Sequence, residues 1–296
     1  MVIYMDFIFS IYKPKDYTSR DIVNIVSKKM NTKKVGHTGT LDPLAEGILI
    51  ICGGKYTKIS DLITSYNKEY VAEIRFGFET DTLDITGEKL VFSENLVKKE
   101  ELIETLKYYS KKYNQEVPIF SAVKVDGRKL YEYARSKKKV VLPKKEVEIF
   151  NIELLDFKDN YAKIKCLVSK GTYIRSLIRD IGRSLDNYAI MESLIRTKQG
   201  GVDSFNTLQD LEDGNMKYLD FKKLINIPIV KVSKELEVKI KNGAVVDKFF
   251  EGQKVMVINE SDELIAIYKE YEKDLTKSKP EKVFNTWLFL RINVYY

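Results

Sequence analysis

At 296 residues the chain is long enough for one large domain or two modest ones, and 44% hydrophobic with 31% charged residues is the balance of a protein that buries a real core. One histidine and two distant cysteines, Cys52 and Cys166, leave almost nothing for a zinc site of the usual ligands, and the cysteines read as buried free thiols of a reducing compartment. Lys+Arg 50 against Asp+Glu 43 gives a net charge of +7, which by itself favours a polyanionic partner only weakly.

Residues 6–12 alternate loosely and read as a first strand. The N-terminal segment has no basic leader and carries Asp6 in its apolar part, so it is a strand rather than a signal peptide. No apolar run reaches the length of a membrane span, and a cytoplasmic protein is expected. After the turn KPKDYTS, Thr18 and Asp21 form a capping box that opens a helix with Ile22, Val23, Ile25, Val26 and Met30 on one side. GILIICGG is a short apolar run closed by glycines, the pattern of a buried strand. Residues 70–77 alternate as a half-buried strand, with 88–92 as a candidate partner. A helical period runs over 98–113 through Leu102, Leu106 and Tyr109, and 129–135 is a short helix. Residues 146–157 and 161–168 form a hairpin around KDN, 173–184 is amphipathic, and 208–213 is another short helical piece. Near Ile227-Pro228 the character changes, and 228–270 reads as short strands with turns at NGA, EGQ and NESDE. A domain boundary is placed there, giving units of 1–226 and 227–296.

Two basic runs stand out. Lys28, Lys29, Lys33 and Lys34 precede the stretch GHTGTLDPLAEG, and Arg135, Lys137, Lys138, Lys139, Lys144 and Lys145 form the second. A charge run is usually a solvated face. Two of them beside Gly- and Tyr-rich segments, in a chain with 19 tyrosines, point toward nucleic acid. Asp42 allows two readings on its own residues. Asp-Pro is a common helix entry, with the aspartate as N-cap. Alternatively, a carboxylate at the edge of a buried strand, beside glycines 36 and 39 that let a partner approach, is a candidate nucleophile or acid/base.

GHTGTLDPLAEGIL resembles the active-site motif of the TruB family of pseudouridine synthases, the stand-alone bacterial type that modifies tRNA uridine 55. KPKDYTSRDIV, KEYVAEIRFGFETDTLDITG, PIFSAVKVDGRKLYEYAR, SKGTYIRSLIRDIG and LIRTKQGG resemble its other motifs, in the family order, over residues 6 to about 210. The resemblance implies an α+β fold: a mixed, largely antiparallel sheet flanked by helices, followed by a small β-barrel, PUA-like RNA-binding domain in 227–296. It implies an isomerase that flips the base, breaks the N-glycosidic bond, rotates the uracil and rejoins it through C5, with no metal and no cofactor. Asp42 matches the catalytic aspartate, with attack on the sugar C1′, attack on uracil C6 and charge stabilisation all open. Arg175 matches the arginine paired with it; such a cation favours the ionised form of a carboxylate. Tyr70 matches the tyrosine that stacks on the base and acts in proton transfer at C5.

Tyr173 and Leu194 match residues of the base pocket, and Asp84 an acidic residue of the surrounding network. His37 matches the histidine that fills the space a flipped base leaves, offsetting part of an extrusion cost of roughly a few kcal/mol. Lys13 and Lys124, like Ser121, match residues that shape the site or contact RNA, and the basic segment of about 124–150 falls where the family clasps RNA through phosphates. The implied partner is the T-stem-loop of tRNA, met by a monomer with no obligatory protein partner. Rival readings are an RNA-guided relative within a protein complex and a non-catalytic tRNA-binding or folding chaperone. Three features depart from the family pattern: Asp16 where a glycine is usual, Val117-Pro118 where two prolines are common, and an apolar tail, 285–296, with the only tryptophan. The tail reads as an added strand, a protein contact or a readthrough product.

Overall fold

The computed structural model describes residues 6–284, so the tail 285–296 lies outside the described residues. In chain order the first half contributes β1 (Phe7–Lys13), α1 (Ser19–Lys29), β2 (Val35–His37), β3 (Glu46–Gly53), α2 (Ser60–Thr64), β4 (Lys68–Phe76), β5 (Phe78–Thr80), β6 (Lys89–Phe92), α3 (Lys99–Tyr109) and β7 (Lys112–Glu116). The middle contributes β8 (Lys124–Val125), β9 (Arg128–Lys129), α4 (Leu130–Arg135), β10 (Lys144–Lys158), β11 (Tyr161–Val168), α5 (Ile174–Ser184) and β12 (Ala189–Gln199). The last part contributes α6 (Leu208–Asp213), α7 (Phe221–Leu224), β13 (Ile229–Lys231), α8 (Lys234–Lys241), β14 (Val246–Asp247), β15 (Lys254–Ile258), β16 (Leu264–Glu270) and β17 (Lys277–Val283).

The main sheet has eight strands in the order β1-β3-β12-β4-β11-β10-β7, with β2 added to β3. Every pairing is antiparallel except β3 with β12. The alternation of β4 puts Tyr70, Ala72, Ile74 and Phe76 on the face covered by α3 and α5. On the other side of β3, Ile48, Ile50 and Cys52 pack against Met256, Ile258, Leu264, Ile267 and Phe284, so the first sheet and the C-terminal sheet share one apolar layer. That second sheet runs β13-β15-β16-β17-β14 and curls into a half-barrel, with Leu236 and Ile240 of α8 packed on it. Cys52 and Cys166 are buried free thiols, each pushed up to about 12 by that burial.

The capping box of α1 forms in full: Thr18 Oγ1 accepts from Asp21 N–H, and the Asp21 carboxylate accepts from Thr18 N–H. Several expectations need correction. The strand at 88–92 pairs with β5 rather than β4, because Gly77, at φ +104°, redirects the chain after Phe76. The helix of 98–113 ends at Tyr109, and β7 follows, joined to β10. The segment after 228 contains α8 as well as strands.

Gly47 is a point where only glycine fits. Its φ is +102°, and a Cβ there would run into the carbonyl oxygen of Arg196 on the parallel neighbour β12. Backbone strain and overpacking combine, and neither can relax without parting two central strands. Gly47→Ala is expected to lower stability by about 3 kcal/mol or more, read from the shift of the urea midpoint at unchanged slope.

Candidate active site

Asp42 sits on the loop between β2 and β3, and no helix starts there; Pro43 and Leu44 form a bend. The capping reading of Asp42 is thereby removed. The loop is tied on both flanks. Leu41 N–H donates to Ser19 Oγ at 2.9 Å, and Ser19 Oγ donates back to the Leu41 carbonyl at 3.1 Å. The Pro43 carbonyl accepts from Asp16 N–H at 2.9 Å and from Lys13 Nζ at 3.3 Å. Leu41, Leu44 and Ala45 are sunk in the core beneath. Asp16 makes its bond from φ +69°, a left-handed conformation that explains a usual glycine and that aspartate tolerates better than most residues.

Arg175, in the first turn of α5, is 5% exposed and spends its guanidinium on three acceptors. Nε meets Asp42 Oδ2 at 2.8 Å, Nη1 donates to the Thr82 carbonyl at 2.8 Å, and Nη2 donates to the Phe120 carbonyl at 3.0 Å. The Asp42 side chain stays 38% exposed, facing a cavity of about 300 Å³. Tyr70, Tyr173 and Leu194 line the same cavity. Burial raises the Tyr70 hydroxyl above its usual pKa, and the Arg196 guanidinium opposes that shift. Tyr173 is held at the start of α5 by its N–H on Gln115 Oε1, 2.8 Å, a buried amide of β7. Its hydroxyl is raised by burial and lowered in part by Ser121.

Four expected site residues lie outside the cavity lining. Lys13 is fully buried, and its Nζ donates to the carbonyls of Pro14 (2.8 Å), Tyr17 (2.5 Å) and Pro43. It braces the loop and has no surface to offer RNA; burial lowers it to about 8. Asp84 is buried and accepts from Thr82 Oγ1 (2.7 Å), Thr86 N–H (3.0 Å) and Thr86 Oγ1 (2.6 Å). It shapes the turn whose Thr82 carbonyl takes Arg175, one step removed from the site. Lys124 is exposed on the β8–β9 hairpin just past Phe120, Ser121 and Ala122, which do line the cavity. His37 is half-buried on β2, and Gly39 N–H donates to its Nδ1 at 3.3 Å, which puts the imidazole proton on Nε2.

Arg196, Lys68 and Lys170 also line the cavity and were not among the expected site residues, and Lys145 of the second basic run joins them there. Lys68 is buried, donates to the Thr64 and Tyr66 carbonyls, and is lowered to about 8 by that burial. Lys145 and Lys170 are exposed at the rim. The signal for Arg196 was its place in LIRTKQGG; what hid it was the unread strand β12. Along α4 and the hairpin, Arg128 lies over the Tyr133 ring at 5.1 Å and Arg135 over Tyr131 at 5.3 Å, a basic and aromatic surface. Among the described residues no group of three or more His, Cys, Asp or Glu could hold a metal ion, and no helix is long and apolar enough to cross a membrane.

His37 carries a pH consequence. Burial, with Arg20 and Arg196 nearby, lowers it from 6.5 to about 4. Between those values the unfolded chain holds the proton and the folded chain does not, so stability falls as pH drops through 6.5 toward 4. Urea unfolding is expected to lose about 2 kcal/mol between pH 7 and pH 5 through this residue, a loss missing from His37→Gln.

The family described as "TruB family pseudouridylate synthase (N terminal domain)" matches residues 27–174. The chain is 37% identical to tRNA pseudouridine synthase B of Staphylococcus saprophyticus over 94% of this chain and 99% of that one. It is 47% identical to tRNA pseudouridine synthase B of Fusobacterium nucleatum over 66% of this chain and 68% of that one. Among solved structures, a chain of a Cbf5-Nop10-Gar1 complex matches with a TM-score of 0.68 at 25% identity, covering 94% of this chain and 85% of that chain. A chain of an H/ACA RNP bound to a substrate RNA containing 2'-deoxyuridine matches with a TM-score of 0.68 at 22% identity, over 94% and 85%, and bears on the fold alone. A carboxylate clamped by a buried arginine at the edge of a mixed sheet, in a sequence with these relatives, places the chain in the TruB family of pseudouridylate synthases.

Proposed function

We propose that this protein isomerises uridine 55 in the T-loop of tRNA to pseudouridine, acting as a monomer in the cytoplasm with no protein partner and no cofactor. The observation that carries the reading is the pairing of Asp42 with Arg175 at the mouth of a cavity also lined by Tyr70, Tyr173 and Leu194. A flipped uridine enters that cavity, with Tyr70 and Leu194 against the ring and Asp42 at the glycosidic bond. Arg175 holds the carboxylate on one oxygen, so that the reacting groups are fixed before the substrate arrives. Asp42 acts at C1′, at uracil C6, or by stabilising charge. Tyr70 serves the proton transfer at C5. His37 fills the gap in the T-loop stack.

Residues 1–226 form the catalytic domain in this reading and 227–296 a PUA-like RNA-binding domain. The basic segment of about 124–150, with Lys124, Arg128 and Arg135, clasps phosphates and adds affinity rather than sequence readout. That surface supports a stand-alone enzyme over an RNA-guided one. The test is an unmodified tRNA transcript labelled with tritium at C5 of uridine, incubated with purified protein, no other protein and no guide RNA. Tritium release with pseudouridine mapped to position 55 supports the proposal. Binding of the transcript with position 55 left as uridine overturns it.

A further inference from the structure

Arg196 is 1% exposed and stands in the middle of the sheet, with Tyr70 of β4 opposite it on one side and Gly47 of β3 on the other. Two of its donors are fixed on backbone: Nε on the Ile48 carbonyl at 2.6 Å and Nη2 on the Gly39 carbonyl at 3.1 Å. The third nitrogen, Nη1, makes no hydrogen bond of good geometry in a side chain that lines the cavity, and its polar neighbour is the neutral Tyr70 hydroxyl. Asp42 is already taken by Arg175, and among the described residues no carboxylate pairs with Arg196. Its neighbour Lys68 likewise donates only to carbonyls. The floor of the cavity therefore holds fixed positive charge that no carboxylate neutralises, behind low-dielectric walls. A buried cation left without a counter-charge is costly in the empty protein, and an anion formed beside it is stabilised without reorganisation.

The isomerisation read above makes such an anion, and the following inference rests on that reading. When the N1–C1′ bond breaks, its electron pair leaves with the uracil, and the negative charge spreads over N1, O2 and O4. When the C5–C1′ bond forms, the ring supplies the pair, the C5 proton is released and N1 gains a proton, so the base is neutral again. We propose that Arg196 is a catalytic residue whose Nη1 donates to a carbonyl oxygen of the uracil and carries its charge while the base is detached. Position favours the base over a phosphate: Arg196 is buried on a central strand, whereas Lys145 and Lys170 are the exposed cations of the cavity lining and the ones open to a phosphate.

The test compares wild type, Arg196→Gln and Arg196→Lys under single-turnover conditions on tRNA transcripts carrying uridine or 5-fluorouridine at the target position, reading loss of the N-glycosidic nucleoside, since a C5–F carbon has no proton to release. Fluorine withdraws electrons, so the detached fluorinated base needs less help. Arg196→Gln is expected to slow uridine by about 10²–10³-fold and 5-fluorouridine by about tenfold less, with tRNA affinity unchanged and Arg196→Lys less impaired. The ratio of the two substrates within one preparation cancels any inactive fraction. Equal losses on both substrates, or a loss confined to tRNA affinity, assign Arg196 to structure and overturn the inference. An isotope effect from deuterium at C5 that emerges only in the variants overturns it in favour of proton transfer through Tyr70. Failure of both variants to fold, judged by thermal melting, also assigns the residue to structure. If wild type itself forms no pseudouridine, the fault lies in the functional reading and the inference falls with it.

Discussion

Asp42→Asn is expected to lower pseudouridine formation by about 10⁴-fold or more while the protein stays folded and binds tRNA. The substitution keeps size and shape. The loop is held by its own backbone and by Leu41, Leu44 and Ala45 in the core, not by the carboxylate. An amide oxygen still accepts from Arg175 Nε, but it neither attacks carbon nor balances a growing positive charge at C1′. Because the Asp42 side chain is 38% exposed, its pairing with Arg175 is screened, and the stability change is expected to stay near about 1 kcal/mol. Tritium release measures the first effect, filter binding the second and thermal melting the third. Residual turnover close to wild type would remove Asp42 from the chemistry.

Arg175→Met is expected to fail in both stability and rate. Arg175 joins three separate pieces of chain: the Asp42 loop, the turn at Thr82 and the segment at Phe120. A thioether fills much of the volume but leaves the Thr82 and Phe120 carbonyls without their donor. Unfolding in urea is expected to become easier by about 3 kcal/mol. The folded fraction is expected to be slower by about 10²-fold, because Asp42 loses the group that fixes it and the wall at Phe120 and Ser121 loosens. Arg175→Lys is expected to fall between, since one ammonium does not reproduce a planar fork spread over three acceptors.

Much of this was legible in the residues, and the exceptions share a cause. β1, β3 and β4 declare themselves by alternation or by unbroken apolar runs, and α1 by its capping box, because each buries one face against a core that the pattern reflects. α8 misled because Leu236, Val238 and Ile240 fall at every second position, as in a strand. Val238 is 61% exposed on the helix, and Glu237 with Lys241 forms an (i, i+4) pair. β7 went unread, with its first two residues taken into the preceding helix, because its inward residue is Gln115, a buried amide bonded to the Tyr113 hydroxyl and the Tyr173 N–H. β12 was invisible for two reasons: its register shifts at Met191/Ser193 and at Arg196/Lys198 break the alternation, and three of its last four residues are charged or amide side chains. Arginine and lysine read as exposed, so Arg196, Lys68 and the bracing role of Lys13 could not be derived from composition. Asp42, Tyr70, Tyr173, Arg175 and Leu194 were reached through motif resemblance, and they meet at one cavity.

The position of β12 also governs the order in which the molecule can assemble. It lies between β3 and β4 in the sheet, yet it leaves the ribosome more than a hundred residues after both. Until then β3 and β4 have no common neighbour, and each presents an unpaired edge. Pairings of such long sequence separation slow folding, and exposed edges invite association between nascent chains. Tyr70 and Arg196 become neighbours only when β12 slots in, and Gly47 gains its close contact in the same event. The floor of the cavity and the closure of the sheet are thus one step of folding, and a chain released before residue 199 has neither.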